Sequence, residues 1–382
     1  MRTRITIIFE PKSVAMLSCR LERLVYMVQF PNRARETPSR SLIDGMRKTL
    51  IEQLRSCDIR PQPYALLDFP NHPNVGDSAI WLAELSYLKD VLGAAPTFVC
   101  ERTDLDADAL RKALPHGPIF LHGGGNFGDV WPQHQRFRES VLQKFPDRLI
   151  VQFPQTIHFT DPTRLERTAQ IIKRHSNFVL FVRDERSLEK ARLVFDCPVH
   201  LAPDMVFYLK IARRSRATYK LSLLMRCDKE STLKRAPVRA DVPEGAMIGN
   251  WRAEDPDLVD KMKLWTRLLS PFKLGFNALS EPRRKELLFR SLARSRVSRG
   301  IDLLSSTQFV ITDHLHCHIL CVLLGIPHIV IDNSYCKLNN FVETWTKYCG
   351  LVLAASSLDE AIDLWARSSA SHAGAMRPAL QR

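Results

Sequence analysis

Two histidines, His314 and His316, bracket Leu315 in the stretch TDHLHCHILCVLLGIPHIVIDN. Phe309 to Ile311 reads as a strand, Thr312 or Asp313 as a helix cap, Gly325 as the stop, and His328 to Ile331 as the next strand. The free N–H groups and positive dipole end of such a helix favour an anion, and an imidazole beside it can pass a proton. The structural alternative for each histidine is a hydrogen-bonded core residue. His314 with His318, and Cys317 with Cys321, also have the i, i+4 spacing of a metal pair. Nothing nearby adds a CxxC or His-Glu partner, so no metal and no cofactor are expected.

The elements that must position these residues follow from the apolar pattern. Six apolar stretches, near 64–69, 96–100, 118–122, 148–153, 178–183 and 199–202, alternate with helical segments such as Ser78 to Val91 and Arg164 to His175. The alternation predicts an α/β fold with a mostly parallel sheet covered on both faces. Such sheets bind ligands at the carboxyl ends of their strands. The loops there are NHPNVGD (Asn71 to Asp77), HGGGNFGD (His122 to Asp129), VRDERS (Val182 to Ser187) and APD (Ala202 to Asp204).

Each loop has a chemical and a structural reading. Arg183 at a strand end can fork onto a phosphate or carboxylate, or pair with Asp184 or Glu185. Asp77 is a candidate for positioning or deprotonating a hydroxyl, or is the N-cap of the next helix. Gly123, Gly124 and Gly125 let backbone approach a ligand, or form a tight turn, and Asn126 can hold hydroxyls. With Gly128 they match a dinucleotide fingerprint formally. Trp131 and Pro132 delay the helix, however, and the next strand ends in Gln152 and Gln155 rather than an acid.

A chain of 382 residues exceeds one ordinary core. Residues 1–40, rich in arginine, read as a basic arm without a fold of its own, and an amphipathic helix (Leu42, Met46, Leu50, Leu54) opens a first domain over 41–210. A linker at 211–217 leads to a second domain over 218–367, with strands at Tyr219 to Met225, at the histidine segment and near 350–354. The basic run from Arg283 to Arg299 reads as a solvated face, Ser357 and Glu360 as a capping box, and 368–382 as a disordered tail. Two tandem α/β domains would set the His314–His316 helix start across a cleft from the loops of the first.

The formal charge of +14 calls for an anionic partner or surface, and nine cysteines without paired spacing suggest a reducing compartment. No apolar run reads as a signal peptide or membrane span. The basic runs lack an aromatic-interleaved stripe, so no nucleic acid is expected.

NVGD, HGGGNFGD, VRDERS, APD and, above all, TDHLHCHIL with GIPHIVIDNSY resemble the polysaccharide pyruvyltransferases, in particular bacterial exopolysaccharide ketal-pyruvate transferases. The resemblance runs from about Tyr64 to Trp345. It implies two Rossmann-like domains facing a cleft, as in GT-B glycosyltransferases, and transfer of the pyruvyl group of phosphoenolpyruvate onto a sugar with release of phosphate. It implies His316 and Asp77 as catalytic residues, Arg183, His314 and Leu315 against phosphoenolpyruvate, and Asn126, Gly124 and Gly125 against the acceptor. The acceptor would be a lipid-linked oligosaccharide at the cytoplasmic, anionic face of the membrane, where a basic protein can bind peripherally. The family's arginine is His314 here, and loss of one charge-assisted contact costs about 1.5–3 kcal/mol. Two rivals follow: a nucleotide-sugar glycosyltransferase, and a non-catalytic member of the family.

Overall fold

The computed structural model describes residues 38–214, 216–226, 242–268, 281–332 and 337–375. Of the basic arm read at residues 1–40, residues 1–37 lie outside them, and Pro38 to Arg40 belong to the first helix instead of to an arm without a fold. In chain order the elements are α1 (Pro38–Arg55), β1 (Ala65–Leu67), α2 (Val75–Leu92), β2 (Phe98–Cys100), α3 (Ala107–Ala113), β3 (Ile119–Leu121), β4 (Gly124–Gly128), α4 (Pro132–Lys144), β5 (Ile150–His158), α5 (Pro162–Lys173), β6 (Phe178–Val182), α6 (Glu185–Val194) and β7 (Val199–Leu201). After a short 3-10 turn come β8 (Ser222–Leu224), β9 (Met247–Ile248), α7 (Leu258–Leu268), α8 (Glu281–Ser305), β10 (Val310–Thr312), α9 (Leu315–Leu324), β11 (His328–Ile331), α10 (Lys337–Phe341), β12 (Val352–Ala355) and α11 (Leu358–Ala375).

The strands form two sheets in which every pairing is parallel. The first has the order β2-β1-β3-β5-β6-β7, with β4 also on β5; the second has the order β12-β11-β10-β8-β9. The order in which successive strands are laid down reverses between β1 and β3 in one, and between β8 and β10 in the other. At such switch points the loops part and leave a crevice at the carboxyl ends.

Several local expectations hold, and several are corrected. Gly325 ends α9 in the left-handed region at φ 67°, its N–H bonding back to Cys321 and Val322. The helix after NVGD starts at Val75 and is capped by Asn74, whose side chain accepts from the Gly76 N–H at 2.9 Å. Asp77 therefore lies inside the first turn and is not the cap. The stretch HGGGNFGD is not wholly loop, because β5 runs nine residues and its far half pairs β4.

The basic run is not a solvated face either. It lies in α8, which packs along α2; Phe289 stacks on Phe69 with centroids 4.1 Å apart, and a Cβ on Gly300 would collide with Val75. Arg296 is 1% exposed, paired with Glu254 at 2.5 Å and donating to the Pro70 carbonyl. α2 is apolar on most faces for the same reason: α8 and the sheet cover it. Each large side chain buried there contributes about 1.5–3 kcal/mol. Closing helix α11 continues to Ala375, beyond the expected disorder at 368. Half of its capping box forms as read, with Glu360 N–H on Ser357 Oγ at 3.1 Å; the Glu360 carboxylate accepts from the Ser356 N–H at 2.7 Å and not from that of Ser357. The described residues from Pro38 onward cluster as one compact unit.

Candidate active site

A cavity of about 260 Å³ opens where both switch points meet. Asn74 and Asp77 line it after β1, His122 after β3, Arg226 after β8, and His314 and His316 after β10.

Arg183 follows β6 and is buried, yet it does not pair with either neighbour in sequence. Asp184 instead caps α6 through the Ser187 N–H at 2.8 Å and accepts from Thr156 Oγ1 at 2.9 Å. The guanidinium donates through Nε to Thr156 Oγ1 at 3.0 Å and through Nη1 to Asp204 Oδ2 at 2.5 Å. Burial alone would raise the Asp204 carboxyl. The hydrogen bond and charge of His316, the Arg183 charge and the Val206 N–H outweigh it and hold it well below the usual carboxylate range.

His316, in the first turn of α9, brings Nε2 to 3.4 Å from both Asp204 Oδ2 and Arg183 Nη1. Gly76 makes this possible, since a Cβ there would overlap the imidazole. On the other edge of Arg183, Nη2 faces Gly125. A Cβ on Gly125 would lie 2.8 Å from Nη2 and 3.1 Å from the Lys337 ammonium, so the glycine leaves room for two cations to converge. Lys337 also donates to the Gly125 carbonyl at 3.0 Å. Sequence reasoning missed Lys337; its only signal was a lysine shortly after GIPHIVIDNSY, outside any periodic pattern.

Other expected residues take their places around this centre. His314 is the N-cap of α9, with no side-chain cap bond, and its ring lies 5.9 Å from that of Trp251. Leu315 is buried and lines the cavity. Asp77 accepts from Asn74 Nδ2 at 2.8 Å and lies 3.5 Å from His72 Nε2. Enclosure works against its charge, but His72, His316, His122 and His134 together draw its carboxyl below the ordinary value.

Asn126 lines the cavity with Oδ1 already accepting from Arg138 at 2.8 Å and Gln155 at 3.0 Å, which leaves its N–H₂ group for a ligand. Gln152 and Gln155, which had argued against a dinucleotide, stitch the glycine segment down: both donate to the His122 carbonyl, at 2.8 and 3.0 Å. Gly124 is conformational, at φ 120°, and does not line the cavity.

His122 is the second residue that sequence reasoning left without a role. Its Nδ1 bonds Glu84 Oε2 at 2.8 Å, and the other oxygen of Glu84 accepts from the Gly123 N–H at 2.8 Å. Burial raises the Glu84 carboxyl. Burial would lower His122, but Glu84, Asp77 and Asp68 outweigh it and hold the imidazole above its ordinary value.

The suspected metal pairs dissolve. His318 turns away from the cavity to bond His328 at 2.8 Å and Thr346 at 3.0 Å, and Cys317 and Cys321 are buried in the apolar core. Among the described residues no group of three or more His, Cys, Asp or Glu could hold a metal ion. No described helix is long and apolar enough to cross a membrane.

Fold and site together define an α/β protein whose paired parallel sheets enclose two converging cations beside a histidine, an arrangement that can hold an anion. The model of the polysaccharide pyruvyl transferase family matches residues 74–335, and the chain belongs to that family. It is 31% identical over 328 residues to Pyruvyl transferase 1 of Schizosaccharomyces pombe, covering 78% of this chain and 74% of that one. It is 30% identical over 298 residues to EpsO of Bacillus subtilis, covering 75% and 87%. An uncharacterized protein of Klebsiella pneumoniae of known crystal structure shares the fold, with a TM-score of 0.51 and 17% identity, over 82% of this chain and 99% of that one.

Proposed function

We propose that this protein transfers the pyruvyl group of phosphoenolpyruvate onto two hydroxyls of a sugar, forming a cyclic ketal and releasing phosphate. The observation that carries the reading is the convergence of Arg183 Nη2 and the Lys337 ammonium over Gly125, beside His316. Two cations and the helix start of α9 suit a donor that carries both a phosphate and a carboxylate. The two sheets act as Rossmann-like domains on a GT-B-like frame, one supplying Arg183 and the other His314 to His316.

His316 protonates the methylene carbon of the donor, leaving cationic character on the carbon that bears the phosphate. The guanidinium and ammonium stabilise the charge on the departing group while a hydroxyl attacks. Asp77, kept ionised by the imidazoles around it, orients that hydroxyl, and the Asn126 N–H₂ group donates to a neighbouring one. His314 offers one contact where an arginine would fork. The acceptor is a lipid-linked oligosaccharide precursor of an exopolysaccharide, presented at an anionic cytoplasmic membrane face that a chain of charge +14 approaches peripherally.

The test is phosphate release from phosphoenolpyruvate against a panel of acceptor glycans, from about pH 5.5 to 8. Acceptor-dependent release that His316→Ala abolishes supports the reading. Competition by nucleoside diphosphates, with no release from wild type or His314→Arg, overturns it in favour of a nucleotide-sugar enzyme.

A further inference from the structure

His122 Nε2 is buried and has no hydrogen-bond partner among the described residues, although the ring lines the cavity. Buried imidazole nitrogens are normally satisfied, so an unpartnered one on a residue that lines a cavity points to a ligand. Its Nδ1 is fixed by Glu84, which is itself fully buried in the middle of α2. A carboxylate in a helix core is costly unless paired, and its partners here are the imidazole and the Gly123 N–H. The arrangement repeats, across the cavity, the pairing of His316 with Asp204.

Resting on the pyruvyl-transfer reading, we infer that His122, oriented by Glu84, is a second proton-transfer residue, serving the leaving phosphate and the second acceptor hydroxyl. Proton balance asks for two such groups. Ketal formation takes one proton from each of two hydroxyls; one ends on the methylene carbon, which becomes a methyl, and the other on phosphate.

His316 gives its proton to that carbon and recovers one as the first hydroxyl oxygen bonds to the neighbouring carbon. His122 gives its proton to the bridging oxygen as the carbon–oxygen bond to phosphate breaks, the electron pair leaving with phosphate. The now neutral Nε2 takes the proton of the second hydroxyl as its oxygen closes the ring. Both histidines end as they began. Resting His122 as imidazolium fits its surroundings: Glu84 and Asp77 face it from α2 and Asp68 from the segment after β1, with His72 and His134 beside the two aspartates. Glu84 is a positioning residue and touches no substrate.

The experiment uses the full chain with p-nitrophenyl hexosides as acceptors and measures phosphate release, phosphoenolpyruvate binding by calorimetry, and the pH profile. His122→Asn is expected to keep donor affinity within about twofold while acceptor-dependent release falls about 100-fold or more. Glu84→Gln, isosteric and able to stand alone if His122→Asn does not fold, removes the charge that favours imidazolium. Its rate falls, and the alkaline limb of its profile moves to lower pH. Release within about threefold of wild type in both variants, with the alkaline limb unmoved, overturns the inference alone. Loss of donor binding together with rate in His122→Asn also overturns it, by making the residue a donor ligand or a structural one. No release by wild type on any hexoside or on the panel of acceptor glycans overturns the pyruvyl-transfer reading, and the inference falls with it.

Discussion

Helix α9 carries two kinds of histidine little more than half a turn apart. His316, in its first turn, reaches into a cavity and meets a carboxylate and a guanidinium. His318 is sealed in the core against a second imidazole. The hydrogen bonds of the sealed pair fix every proton: His328 Nδ1 donates to the Ile326 carbonyl at 2.8 Å, so its Nε2 accepts from His318 Nδ1, and His318 Nε2 then accepts from the Thr346 hydroxyl. Burial draws His328 down to about 4, and burial together with His328 draws His318 well below its ordinary value. Both stay neutral at ordinary pH and act as polar pins. The difference between the two regions is their company: an imidazole among carboxylates at a cavity wall can take up and release protons, whereas one among neutral acceptors in the core cannot.

The largest effect expected from breaking this contrast is on the cavity side. His316→Ala should lower acceptor-dependent phosphate release by about 10²–10⁴-fold. Unfolding free energy in urea should change by less than about 1 kcal/mol, since the ring is not enclosed by the core. Gly76→Ala should reach the same residue from below: the new methyl displaces the imidazole, and a misplacement of about 1 Å can cost up to about 100-fold in rate. Steady-state kinetics with saturating donor would show this fall as a loss in kcat.

On the sealed side the loss should be of stability and not of rate. His328→Leu leaves the His318 Nδ1–H and the Ile326 carbonyl without their partner, at about 1–3 kcal/mol in chemical denaturation, with kcat per folded molecule within about twofold. The pH dependence has a definite sign. His328 titrates near 6.5 when unfolded and at about 4 when folded, so the unfolded chain binds the proton first. Its contribution is complete above 6.5 and is lost as pH falls towards about 4; the variant should show a shallower acid slope than wild type. The smallest effect sharpens the cavity side: His314→Arg should tighten phosphoenolpyruvate binding about tenfold, the worth of one added charge-assisted contact, measured by calorimetry.

Much of the framework was legible beforehand. Apart from β4 and β9, the strands of both sheets fall where apolar runs fall, and the stop at Gly325 follows from a conformation that glycine adopts without strain. The ordered motifs around Asp77, His122, Arg183 and Asp204 also marked one edge of the first sheet, because parallel strands present their carboxyl ends together. The less accurate readings share a cause. Arg183 was weighed against the acids next to it, yet its partner is Asp204, which the parallel register of β6 and β7 brings beside it. The arginines of α8 read as surface because their spacing says nothing about a second helix lying over them.

The amino-acid sequence by itself determined the period of each element, the caps that start and stop them, and hence an α/β chain with chemistry-bearing loops at strand ends. These are short-range properties, set by side chains within a few residues of each other. Tertiary structure alone decided which charges meet. Glu84 reads as an ordinary helical glutamate until the fold encloses it against His122, and Lys337 as an isolated lysine until its ammonium arrives over Gly125. Partnership between residues far apart in the chain depends on where strands cross over and which faces they bury, and only the folded chain fixes those distances.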